Sequence, residues 1–207
     1  MTYSTPQENL WVGSFGDEYV DRNKRAALLA PKLMLLARII ERTQGIRSIL
    51  EFGANIGLNQ IALKSVIPSA RQIAIEINEK AFRQLEMIEG VEAHLGSILS
   101  FDSDIVADLS FTSALLIHIN PDELQRAYDI LYKSARCYIA MIEYYNHEPI
   151  EVMYKGNAGC LFKRDWAGDM LTRFPDLRLV DYGFVYRRDP NFPIDDVHWF
   201  LLEKVGN

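Results

Sequence analysis

Between Arg47 and Glu143, short apolar runs alternate with helix-like stretches, and this alternation confines the chain to a parallel sheet with helices on both faces. Arg47 to Phe52 reads as a strand, Gly53 to Gly57 as a glycine turn, and Leu58 to Val66 as a helix closed off by Pro68. A second strand, Gln72 to Ile77, passes through the capping residue Asn78 into a helix from Glu79 to Glu89 that Gly90 ends. Strands follow at Val91 to Leu95, around Asp108 to Leu116, and at Cys137 to Glu143, with a helix opened by Asn120-Pro121-Asp122-Glu123 before the last of them. Upstream, Leu28, Leu29, Leu33, Leu36 and Ile40 recur at helical intervals in a stretch, Ala26 to Arg42, that Gly45 stops. Downstream, Lys163 to Phe174 reads as a helix. Leu177 to Arg187 and Val197 to Val205 read as an antiparallel hairpin at the sheet edge.

The expected fold is therefore a three-layer α/β sandwich with a seven-stranded, mostly parallel sheet ending in an antiparallel hairpin. At 207 residues it should be one domain. Residues 1–45 would form a helical lid and first helix, 46–207 the core, and about 144–166 a substrate segment. With 22 Lys and Arg against 28 Asp and Glu, the net charge of −6 disfavours nucleic-acid binding. The most apolar stretch, Ala26 to Ile40, is interrupted by Pro31, Lys32 and Arg38, so no membrane span is expected. Cys137 and Cys160 have neither disulfide nor zinc-site spacing and suggest reduced thiols in a cytoplasmic protein. A homodimer is left open.

In an open parallel sheet, ligands lie beyond the carboxyl ends of the strands, where a glycine turn and a helix N-terminus meet an anionic group. A dinucleotide fingerprint starting at Gly53 requires glycine at positions held by Asn55 and Leu58, and no Gly-Lys-Ser/Thr follows for a P-loop. Gly53, Ala54, Asn55 and Gly57 would instead cradle a smaller group such as an amino-acid carboxylate. Glu76 lies 23 residues beyond Gly53, near the spacing at which a carboxylate receives two ribose hydroxyls. An amino-acid head, a ribose and an adenine describe S-adenosylmethionine (SAM). The adenine is expected near Gly96, Ser97 and Ile98, with Ile77 on its other face.

The motifs ILEFGANIGLN, IAIEIN and LLIHINPDEL, with the final hairpin, make residues 45 to 205 resemble class I SAM-dependent methyltransferases. The resemblance implies that Glu51 helps hold the methionine moiety and Ser97 the adenine. Asn55 stands where the family has its second turn glycine. The stretches from Glu8 to Trp11 and from Phe15 to Asn23 narrow the resemblance to methylases associated with pseudaminic acid biosynthesis, which implies a sugar, sugar nucleotide or other small polar substrate.

Methyl transfer is an in-line displacement, so the protein chiefly positions the acceptor and, where needed, takes its proton. His118, after the fourth strand, is the first candidate for that base, although a packing role suits it equally. Glu143 is the second candidate. Tyr145, His147, Tyr154 and Arg164 stand where a substrate segment is expected, and Tyr19 and Arg22 belong to the lid. No metal triad is apparent, nor an Asn-Pro-Pro-Tyr-like motif, which leaves a hydroxyl or amine of a small molecule as the expected acceptor. The rivals are a non-catalytic SAM-binding subunit, a methyltransferase of another natural-product pathway, and a short NAD-dependent reductase that would need a Tyr-x-x-x-Lys pair absent here.

Overall fold

The computed structural model describes residues 3–22, 26–101 and 104–206; Asn23, assigned to the lid, lies outside them. Seven strands form one sheet: β1 (Ser48–Phe52), β2 (Arg71–Glu76), β3 (Val91–Leu95), β4 (Ala107–Ser113), β5 (Ala135–Glu143), β8 (Leu177–Val185) and β9 (Val197–Lys204). Their order is β3-β2-β1-β4-β5-β9-β8. The first five pair in parallel, while β9 runs antiparallel to both β5 and β8, which places the hairpin at the edge as expected. The two-residue strands β6 (Ile150–Glu151) and β7 (Phe162–Lys163) form a separate ribbon.

Strand side chains alternate between two apolar layers, which is why the central strands read as continuous apolar runs. Leu50, Phe52, Ile139 and Met141 face Tyr128 and Leu131 of α6 (Leu124–Lys133) and Trp166 and Met170 of α7 (Trp166–Arg173). Ile49, Ala140 and Ile142 face Leu36 and Ile39 of α3 (Leu29–Ile40) and Leu63 of α4 (Leu58–Val66). A fifth helix, α5 (Glu79–Leu85), is capped by Asn78, whose side chain accepts from the Ala81 N–H.

Several boundaries differ from the sequence reading. The fourth strand stops at Ser113 because Ala114 turns the chain at φ 54°, and Leu116–His118 is a tight helical turn. Residues Phe162–Lys163 pair as a strand, and α7 starts only after Asp165, whose carboxylate accepts from the Gly168 N–H. The helix after Asn78 ends at Leu85, four residues early. Ahead of the sheet, α1 (Pro6–Val12) and α2 (Ser14–Arg22) form the expected helical N-terminal unit. No helix among the described residues is long and apolar enough to cross a membrane.

Candidate functional site

The turn after β1 is built by backbone conformations that side chains disfavour. Gly53 (φ 76°), Asn55 (φ 50°) and Gly57 (φ 79°) are all left-handed. The Gly53 and Ala54 N–H groups donate to the Ile75 carbonyl, Asn55 N–H donates to the Glu76 carboxylate at 2.6 Å, and Gly57 N–H donates to Ala54. These donors are satisfied inside the protein, so they do not form the carboxylate cradle expected from sequence. Gly53 lines a cleft beside Leu115, whose side chain lies 3.0 Å from where a Cβ at Gly53 would stand. Gly57 serves packing: a Cβ there would sit 2.3 Å from Ile88 and 2.8 Å from Leu85.

Glu76 ends β2 with one carboxylate oxygen accepting from Asn55 N–H and the other from Asn78 N–H at 2.7 Å. The Ile77 N–H is a third backbone donor acting on this carboxylate, which offers about four lone-pair sites in all. Burial raises its pKa, against the lowering effect of those backbone donors.

Around Glu76 opens a space of about 700 Å³, open solvent included, lined by Gly53, Asn55, Ile77, Gly96, Ser97 and Ile98, among them the residues at which the sequence leads one to expect a nucleoside. Its roof was only partly foreseen. Glu8 and Trp11 of α1, and Gly16, Tyr19 and Val20 of α2, close the cleft opposite the turn. The Glu8 carboxylate accepts from the Ser4 and Thr5 N–H groups and from the Ser97 hydroxyl, which together outweigh burial and lower its pKa. The Asn78 side chain donates to the Trp11 carbonyl and to Asp17, both at 3.0 Å. Gly16 is required there, since a Cβ would lie 1.9 Å from the Trp11 carbonyl oxygen. Glu8 is a site residue that sequence reading missed, and the signal was the capping box it completes with Thr5.

A second, larger cavity of about 1980 Å³, open solvent included, shares Tyr19, Gly53, Asn55 and Ala114 with the first. Ala54, Ser113 and Tyr144 continue its wall, and Arg22, Lys32, Lys155, Arg187 and Asp195 supply its charges. The Tyr144 hydroxyl donates to Asp195 at 3.0 Å, and Lys32 donates to the Asn59 side chain at 2.8 Å. Lys32, Arg187 and Asp195 carried no signal in sequence, because α3 and the β8–β9 connection deliver them from opposite ends of the chain.

The expected residues divide accordingly. Tyr19 lines both spaces, Arg22 lines the larger one, and the Tyr154 ring lies 5.1 Å from that of His118. His118 walls the smaller cleft, tilted against Trp11 at 4.6 Å. Its Nδ1 lies 2.6 Å from the Cys160 carbonyl, so that nitrogen carries the proton. Burial, partly offset by this bond, lowers its pKa to about 4. His118, the first candidate for a general base, thus lines the smaller cleft and not the larger cavity.

Glu143, the second candidate base, is fully enclosed and lines neither space. Its carboxylate accepts from the Leu115 and Leu116 N–H groups at 3.1 Å and from Ile117, fixing the turn that carries Ala114 and His118. Burial raises its pKa to about 7 despite these donors. Glu51 is likewise buried beneath the site rather than lining it; it accepts from Asn59 and Gln60 side chains, and burial raises its pKa to about 7. Tyr145 packs on His198 and Phe200, His147 is exposed, and Arg164 pairs with Asp169 at 3.3 Å; none of the three lines the two spaces. Among the described residues no group of three or more His, Cys, Asp and Glu could hold a metal ion.

No family model matches the chain, and no curated protein matches it. Solved structures match its fold along the whole length. A magnesium protoporphyrin IX methyltransferase from Synechocystis, with bound SAM, aligns at TM-score 0.70 and 12% identity, covering 99% of this chain and 100% of that one. A 1,6-didemethyltoxoflavin N1-methyltransferase from Burkholderia thailandensis, with bound S-adenosylhomocysteine (SAH), aligns at 0.70 and 13% over 100% and 93%. A sugar N-methyltransferase from Streptoalloteichus aligns at 0.66 and 13% over 100% and 97%. The chain thus has the Rossmann-like fold of the SAM-dependent methyltransferases.

Proposed function

We propose that a chain with this fold and these two joined spaces is a SAM-dependent methyltransferase acting on a hydroxyl or amine of a small polar metabolite, with a sugar or sugar nucleotide as first choice. One observation carries the reading: the cleft around Glu76 and the larger cavity meet at Tyr19, Gly53, Asn55 and Ala114, so a donor and an acceptor can touch across that junction.

The residues of the smaller cleft suit the cofactor. Trp11 and Asn55 line it, and their buried Nε1 donor and Oδ1 acceptor have no hydrogen-bond partner among the described residues. A ligand with both amine and carboxyl or ring-nitrogen groups would satisfy them. Glu76 would receive the ribose hydroxyls on its remaining lone pairs, and Ile77, Ser97 and Ile98 would enclose the adenine. When bound, SAM supplies an electrophilic methyl group on a sulfonium.

The chain's own part is positional. Glu143 holds the 115–117 turn, His118 and Trp11 wall the donor side, and α1 with α2 exclude water from it. On the acceptor side, Asp195 is the carboxylate facing the cavity and is the group placed to take a proton from a hydroxyl or ammonium. Two observations favour a polar acceptor: the charged side chains in the cavity's otherwise largely apolar wall, and the similarity of the fold to a sugar N-methyltransferase.

The test is calorimetry of the purified protein with SAM and, separately, with NADH, followed by transfer of labelled methyl from SAM to sugar and amine acceptors. Micromolar binding of SAM alone is expected. Absence of SAM binding would remove the reading, and binding without transfer to any acceptor class would leave a non-catalytic SAM-binding protein.

A further inference from the structure

The chain is acidic overall, yet its larger cavity is not. Four cationic side chains line it (Arg22, Lys32, Lys155 and Arg187) against one carboxylate, Asp195, in a protein with six more acidic than basic residues. These cations come from four separate segments: α2, α3, the turn between β6 and β7, and the connection after β8. Chance enrichment along one element therefore does not explain their convergence.

Nor does the protein neutralise them well. Arg22 pairs with Glu18 only at 3.6 Å and Arg187 with Asp196 only at 3.5 Å, both with exposed side chains that gain little from such contacts. Lys32 donates to the Asn59 amide, and the buried Glu51 carboxylate and Asp195 are the anions that act on its ammonium. Lys155 sits in a left-handed conformation (φ 48°) with its ammonium over the rings of Tyr19 and Tyr154, at 5.8 and 5.7 Å. Burial first, and the Arg22 guanidinium second, pull its pKa down, while Asp195 acts the other way. Asp195 itself already accepts from Tyr144. Like charges gathered around one hollow are unfavourable until an anion enters.

We propose that the acceptor carries an anionic group, a carboxylate or a phosphate, which Arg22, Lys155 and Arg187 grip at the mouth of the larger cavity while Lys32 faces it from within. Planar guanidinium groups suit two-point recognition of either oxyanion. This rests on the larger cavity being the acceptor site. It would select acidic sugars or sugar phosphates over neutral sugars.

The test uses the full-length protein saturated with SAH and calorimetric titration with glucose, glucuronate, glucose 1-phosphate and pyrophosphate. The three sugars share one skeleton and differ in the anion, so the pattern also separates a carboxylate from a phosphate. At least one anionic sugar is expected to bind where glucose does not. The triple variant Arg22→Gln, Lys155→Gln, Arg187→Gln should weaken it at least about tenfold with SAH affinity unchanged. Arg187→Lys, which keeps the charge, should retain part of the affinity and checks that the fold tolerates change there.

Equal affinity for glucose and the anionic sugars overturns the proposal. So does an unchanged anion affinity in the triple variant, or no anion binding at millimolar concentrations while SAH binds. If SAH itself fails to bind, the cofactor reading falls, and the same titrations on the free protein still decide the anion site.

Discussion

Glu76→Gln separates what this side chain does for the fold from what it would do for a ligand. In the native protein each carboxylate oxygen accepts one backbone N–H, from Asn55 at 2.6 Å and Asn78 at 2.7 Å. An amide of the same shape keeps one of those bonds and turns its NH₂ toward the other donor. Leaving a buried N–H without an acceptor costs about 1–3 kcal/mol, and removing the charge from the surviving bond adds to that. The buried carboxylate's own desolvation, visible in its raised pKa, runs the other way and trims the loss. Urea unfolding should therefore show a net destabilisation of about 1–2 kcal/mol. On the ligand side, a diol that two carboxylate oxygens accept would meet one oxygen and one NH₂. The expected cost is about 1–2 kcal/mol, roughly a tenfold or larger weakening of SAH by calorimetry. Alanine would confound the two effects by freeing both backbone donors and collapsing the turn. A folded Glu76→Gln protein with native SAH affinity would refute the ribose assignment, and unchanged stability would refute the account of the turn.

Two further outcomes follow from the same geometry. Gly57→Ala should destabilise the fold by about 2–4 kcal/mol, because it combines a left-handed φ of 79° with a Cβ pressed onto Ile88 and Leu85; a loss below about 0.5 kcal/mol in urea unfolding would contradict that packing. Glu51 and Glu143 have pKa values raised to about 7 by burial, so the stability each contributes is full below its unfolded value of 4.5 and is lost as pH rises through 7. His118, lowered to about 4, has the opposite sign but acts only below its ordinary value of 6.5. Between about pH 6.5 and 8 stability should fall by about 1 kcal/mol per carboxylate, and Glu143→Gln should flatten the slope; a pH-independent urea midpoint in that window would count against both buried acids.

The strand and helix order was legible because a doubly covered parallel strand needs a continuous apolar run. ILEF, QIAIE and YIAMIE each provide one between turn residues. Capping chemistry announced α5 through Asn78. The cleft-lining residues Glu76, Ile77, Ser97 and Ile98 were readable for the same reason: they stand at strand ends, and the sheet brings strand ends together. Roles that depend on where a buried carboxylate points were not. Nothing local distinguishes Glu143, turned inward onto the 115–117 backbone, from a carboxylate turned toward a substrate. Glu51 and Glu76 likewise end adjacent strands, and only packing against α4 puts one beneath the site and the other in it. Of the charges around the larger cavity Arg22 was legible, but Lys32 and Asp195 were not, because they are separated by most of the chain.

The first helix buries Gln7 and Glu8 and no apolar side chain completely. It is moored by exchangeable hydrogen bonds, Glu8 to Ser97 and Gln7 to the Gly159 carbonyl at 2.7 Å, with edge-on ring contacts at Trp11. Water can replace each such bond at a net cost of only about 1 kcal/mol. Amide protons of α1 should thus exchange with solvent far sooner than those of β1 or β4, through a local opening that leaves the sheet intact. Ser97 and Asn78, which moor this unit, also bound the cleft beneath it. A ligand settling there would slow exchange in helices that belong to no strand of the core, and the lifetime of the closed state would become a property of the ligand as much as of the chain.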